Sequence, residues 1–233
     1  PEKRLKLLER AARARAEGQA MQKVRTASPE EVQALSAGLL SRVEDPANDP
    51  EDRAAAADEL ARLAQAVTRR DEKIDKDSAS YVLSSFEGVR ADYDAFQENP
   101  TPLARRKYAE SMRAAQAKLG LDPLSADLLP APQVDALAAE VKAIPRTPEG
   151  AQRVHQHLAG LAEQWGEDWP SVYRQLREAK ALDGPLSVVA YMTDIDQRAA
   201  AIDLANAWAA GDTLDKTVSG DDRKAVTEQM DSL

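Results

Sequence analysis

The sequence predicts an all-α protein, a multi-helix bundle with long N-terminal helices and short proline-capped connections. Three observations carry this. Alanine, leucine and charged residues dominate, with 43% hydrophobic and 30% charged residues but only 4% aromatic. Serine, threonine or aspartate followed directly by proline recurs as a helix-start signal. Apolar residues return every three or four positions, with no convincing alternating strand. A core built from Leu, Val, Ile and many alanines buries little area per residue, so it is thin and distributed. The expected number of helices is about eight to ten, set by breaks a few residues long.

The elements follow in order. Residues 1–25 hold eight lysines and arginines (Lys3, Arg4, Lys6, Arg10, Arg13, Arg15, Lys23, Arg25) against Glu2, Glu9 and Glu17. That segment carries +5, which leaves −14 for the rest of a chain whose net charge is −9. Leu5, Leu8, Ala12 and Ala16 form its apolar side. "SPEEV" sets Ser28 as N-cap, Pro29 at the first helical position and Glu31 at the capping-box position. Val32, Leu35, Leu39 and Val43 follow as a core-facing stripe. "DPEDR" repeats the device at Asp49, Pro50 and Asp52, with the stripe Leu60, Leu63, Val67 and Ile74 after it. Residues 1–76 are therefore expected as an extended, charged helical region, and 77–233 as a compact helical domain with an internal break at 120–132.

Val82, Phe86, Val89, Tyr93 and Phe96 step as a single helical stripe. "TPLAR" starts the next helix at Thr101, and Tyr108, Met112, Ala115 and Leu119 line it until Gly120 and Pro123. Val134, Leu137 and Val141 form one later stripe; Val154, Leu158, Leu161 and Trp165 form another, started by Thr147 in "TPEGA". "PLSVVAYM" (185–192) is ambiguous between a short helix and an extended link. Ile195, Ala199 and Ile202 make a further stripe, and a last helix is capped by Ser219 or Asp221.

Two of the three tryptophans fall in "LAGLAEQWGEDWPSVYRQL" (158–176). Trp165 ends one stripe, Gly166 is a natural helix stop, and Asp168 or Trp169 caps a helix with Pro170 in its first turn. Trp165 and Trp169 are expected to clamp this helical hairpin, each ring burying roughly 150–250 Å². A partner-binding aromatic hot spot is the rival reading.

Chemistry is sparse. There is no cysteine, and His155 and His157 are the only histidines. Two residues apart on a helix, they project about 200° from each other, unlike a zinc-binding i, i+4 pair. "DPANDPEDR" is rich in oxygens but lacks the order of a calcium loop. Glu110–Ser111 in "AESM" matches the acid–serine pair of many lytic transglycosylases, yet sits mid-helix beside Arg113 without the motif's continuation. Phosphate-binding glycine loops and a nucleophile elbow are absent. The expectation is a non-enzyme with no metal, cofactor or small-molecule substrate. The acidic balance argues against general nucleic-acid binding. Arg10, Arg13 and Arg15 on the basic first helix are the candidate interaction residues, for DNA, an anionic membrane face or the acidic body of a neighbouring copy. A chain beginning at Pro1 reads as a piece of something longer.

"DKDSASYVLSSF" (75–86), "AQAKLGLDPLSADLLPAPQVDALAAEV" (115–141) and the tryptophan segment resemble helical regions of internal virion proteins of tailed bacteriophages, the ejection or pilot proteins. The resemblance covers roughly residues 70–210. It implies a non-catalytic region of a larger polypeptide, stored in the capsid or portal region and delivered to the host envelope with the genome. It also implies a homo-oligomer contacting portal or sister ejection proteins, through residues 1–76. A lytic transglycosylase domain, carried by some members, would lie elsewhere in the longer chain. A helical adaptor or scaffold unrelated to phage is the alternative.

Overall fold

Side-chain oxygens mark the helix starts in the computed structural model, which describes residues 2–145 and 148–180 and, for residues 2–10, only the course of the helix. The described residues form nine α-helices and two single-turn 3-10 helices, with no strand among them. The chain divides into two compact units, Pro1–Ala131 and Pro132–Leu233.

The first unit opens with α1 (Glu2–Val24), α2 (Pro29–Glu44) and α3 (Pro50–Lys76). Ser28 accepts from the Glu31 backbone N–H, and the Glu31 carboxylate accepts from the Ser28 N–H, completing a capping box. Asp49 caps α3 by accepting from the Asp52 N–H. Both α1 and α2 pack on α3. Ala20 and Val24 of α1 meet Leu63 and Ala66 of α3, with Met21, Val32, Leu39 and Val67 around them. Arg70 is buried, and its guanidinium donates to the carbonyls of Val24 (3.3 Å) and Ala27 (3.0 Å) and to the Asp71 carboxylate. A buried cation thereby satisfies orphaned carbonyls at the negative end of α1.

α4 (Ser78–Ser85), α5 (Glu87–Glu98) and α6 (Pro102–Lys118) complete the unit. The stripe from Val82 to Phe96 spans two helices, where the sequence predicted one. The Ser84 hydroxyl bonds back to the Tyr81 carbonyl, a contact that bends helices. Phe86 then leaves helical geometry (φ −116°, ψ 98°), and its position still continues the apolar pattern into α5. Thr101 caps α6 through the Ala104 N–H. Phe96, Tyr108 and Met112 form the centre of the core, Phe96 and Tyr108 stacking at 6.0 Å and Tyr93 tilting onto Tyr108 at 5.1 Å. Burial pushes the Tyr108 hydroxyl far above the usual phenol range, so it remains a donor, and it bonds the Leu128 carbonyl.

Residues 120–130 are irregular apart from a 3-10 turn at Pro123–Ser125, and they fold back over α4 and α6. Ala126, Leu128 and Leu129 are buried. Gly120, at φ +88°, stops α6 in a conformation suited to glycine, and a Cβ there would lie 2.7 Å from Cγ of Pro29. Asp77 is shared between elements: one carboxylate oxygen caps α4 through the Ser80 N–H, and the other accepts from the Ala131 N–H at 2.9 Å.

The second unit contains α7 (Ala131–Lys142), which begins at the boundary residue, α8 (Pro148–Trp165), a 3-10 turn at Gly166–Asp168 and α9 (Trp169–Glu178). Val134, Ala138 and Val141 of α7 are buried, as are Val154, Leu158 and Trp165 of α8 and Val172 and Leu176 of α9. The Thr147 cap and the segments read at 185–192, 195–202 and 219–221 lie outside the described residues.

Candidate functional site

The first unit carries an open groove of about 990 Å³, with walls from α1 and α2 and a floor from α3. Its construction follows from helix lengths and side-chain sizes. Both α1 and α2 lie on α3, and the residues that line the space between them include the small Ala16, Ala20, Ala34 and Gly38. Leu35 and Leu39 supply apolar surface along the α2 wall. No residue of α2 is fully buried, and Leu35 and Leu40 are 39% and 44% exposed. The stripe expected to face a core thus covers one only in part.

The rim is charged. Lys23, Arg42, Arg62 and Lys118 face two acids, Glu31 and Glu59. Lys23 donates to Glu59 at 2.7 Å, and Arg42 approaches the other Glu59 oxygen at 3.9 Å. The Lys23 hydrogen bond holds the Glu59 carboxyl below its ordinary range, against a smaller opposing effect of burial. Lys118 lies 3.8 Å from Glu31. A basic, partly apolar channel therefore sits on a chain that is acidic as a whole. Such a surface suits another helix with an apolar stripe.

The residues singled out in the sequence fall elsewhere. Arg13 and Arg15 are exposed on α1 and do not line the groove; Arg10 lies in α1 among the residues described only by the course of the helix. Trp165 is buried at the end of α8, and Gly166 turns with φ +52°. Trp169 is half-buried and tilts against Tyr173 at 5.5 Å, with Pro170 in the first turn of α9. Asp168 occupies the N-cap position without a side-chain capping bond. His155 and His157 are half-buried, and His157 Nε2 lies 3.7 Å from Glu140. Glu110 is exposed on α6, and the adjacent Ser111 hydroxyl donates to the Tyr108 carbonyl.

Among the described residues, no cluster of three or more His, Asp or Glu is arranged to hold a metal, and no helix is long and apolar enough to cross a membrane. Periodicity had marked Leu35 and Leu39 but not the groove. The available signal was the alternation of small and large residues on one face, Ala34, Leu35, Gly38, Leu39. Comparison of the chain with protein families, curated proteins and solved structures returns no match.

Proposed function

We propose that this chain is a non-catalytic structural and interaction region of an internal virion (ejection) protein of a tailed bacteriophage. It assembles in the virion and is delivered to the host envelope with the genome. The observation that supports an interaction role is the groove between α1 and α2, where apolar side chains stand half-exposed beneath a charged rim. An apolar channel of this kind on a helical body is suited to receiving a protein segment. The phage context rests on the three sequence stretches at 75–86, 115–141 and 158–176. Portal or sister ejection proteins and further copies of the chain are the partners it implies.

Mass spectrometry of purified phage particles tests the reading. Peptides from this chain should co-purify with capsid and portal proteins at constant stoichiometry through a density gradient. A chain made in infected cells but absent from particles would refute the virion role. If it still captured a defined partner through the groove, the adaptor reading would take its place.

A further inference from the structure

We propose that the groove is closed by a second copy of this chain, with α2 of each copy lying antiparallel on α2 of the other across a two-fold axis. This rests on the interaction role proposed above and names the partner. The six α2 residues that line the groove are Glu31, Ala34, Leu35, Gly38, Leu39 and Arg42. Antiparallel pairing about the midpoint of this run sets Glu31 against Arg42 of the second copy, Leu35 against its Gly38, and Leu39 against its Ala34. By symmetry each pairing occurs twice. On α2 the one lining acid meets the one lining base and each leucine meets a small residue, the self-complementarity an isologous interface requires.

Dimensions agree. The run from Glu31 to Arg42 is about 18 Å long at 1.5 Å per residue, and a helix that long and about 10 Å across fills roughly 1,400 Å³. The groove, at about 990 Å³, is smaller than such a helix, so the helix would lie in it with one side left outside. Ala16 on the α1 wall is small and only half-buried, which leaves room beside it for a second backbone. Glu31 and Arg42 keep side-chain exposures of 56% and 53%, so both reach a neighbour despite their contacts within the chain. A Cβ at Gly38 would meet nothing within 4 Å, so the chain's own packing does not exclude a side chain there. A second copy's Leu35 seated on that position gives the missing side chain a use.

Sedimentation velocity over a dilution series should show the wild-type chain in a monomer–dimer equilibrium that weakens with added salt. Glu31→Arg and Arg42→Glu each place like charges opposite one another twice, and each should raise the dimer dissociation constant at least about tenfold. An equimolar mixture of the two variants should recover association as a heterodimer, because both facing pairs across the axis then again join an acid to a base. A tag on one variant detects this. Gly38→Leu fills the recess for Leu35 and should abolish the dimer while leaving helicity intact. Glu31→Arg also removes a capping-box carboxylate; if circular dichroism shows it unfolded, Gly38→Leu decides alone. A wild-type chain monomeric at every concentration, a dimeric Gly38→Leu variant, or folded charge variants that do not pair when mixed would each overturn the proposal. A monomeric chain still found in particles would sink self-pairing and leave the virion role standing, and a dimer absent from particles would do the reverse.

Discussion

Replacing Asp77 with alanine should destabilise the first unit by about 2 kcal/mol, the combined cost of a lost cap and a lost charged hydrogen bond. Asp77 accepts from the Ser80 N–H at the start of α4 and from the Ala131 N–H at the end of the irregular segment. Removing an aspartate cap costs about 1 kcal/mol. A carboxylate–amide bond is worth about 1.5–3 kcal/mol when buried, and half-burial with solvent access to the freed Ala131 N–H brings this one to about 1 kcal/mol. Asp77→Asn keeps an equivalent cap and loses only the charge, so it should cost about 1 kcal/mol or less. Urea denaturation followed by far-ultraviolet circular dichroism measures both variants. The midpoint should fall in the order wild type, Asn, Ala, with an unchanged slope. Equal losses for Asn and Ala would show that the side chain is not acting as a cap. A loss below about 0.5 kcal/mol for Ala, the lower limit for cap removal, would show that neither bond matters.

Other perturbations test separate parts of the structure. Gly120→Ala should destabilise by at least about 1 kcal/mol, because its positive φ strains any side chain and the new methyl would meet the Pro29 ring; thermal melting reads the loss. Met112→Ala, at a fully buried position in the aromatic core, should cost about 2–5 kcal/mol by the same measurement. Glu59 has its carboxyl held below the ordinary value of 4.5, so its contribution is complete above that pH and is lost as the pH falls through the lower folded value. The wild-type urea midpoint should therefore drop more than that of Glu59→Gln on acidification; the difference is small because over a third of the side chain meets water.

Local signals were legible in the sequence because their physics is local. Ser28 with Glu31, Asp49 with Asp52, and Thr101 with Ala104 each complete a cap within four residues, and proline after each cap fixes the helix start. The break at Phe86 was hidden because the residues on both sides feed one core, so the apolar period runs on across the junction. Gly120 was readable as a helix stop but its approach to Pro29 was not, since 91 residues of chain separate them. The partial exposure of Leu35 is not legible in the sequence for a related reason. Apolar spacing shows which face of a helix avoids water, and only the packing of α1 beside α2 determines whether that face is covered. The arginines at 13 and 15 are legible as a local run of charge, while the groove takes its cations from three different helices and from the end of α6.

The anchorage of α1 also sets an order of events during synthesis. Its fastenings lie far along the chain: Lys23 holds Glu59, Glu17 meets Arg69, Arg70 takes the carbonyls of Val24 and Ala27, and the Tyr81 hydroxyl takes that of Arg25. A nascent chain exposed only as far as residue 50 has none of these, and a helix of this composition without tertiary contacts is marginal in water. At about 5–20 residues per second, the basic segment spends seconds outside the ribosome before α3 arrives to hold it. During that interval it is an unfastened cationic stretch of chain, open to polyanions that the folded unit later meets only at its surface.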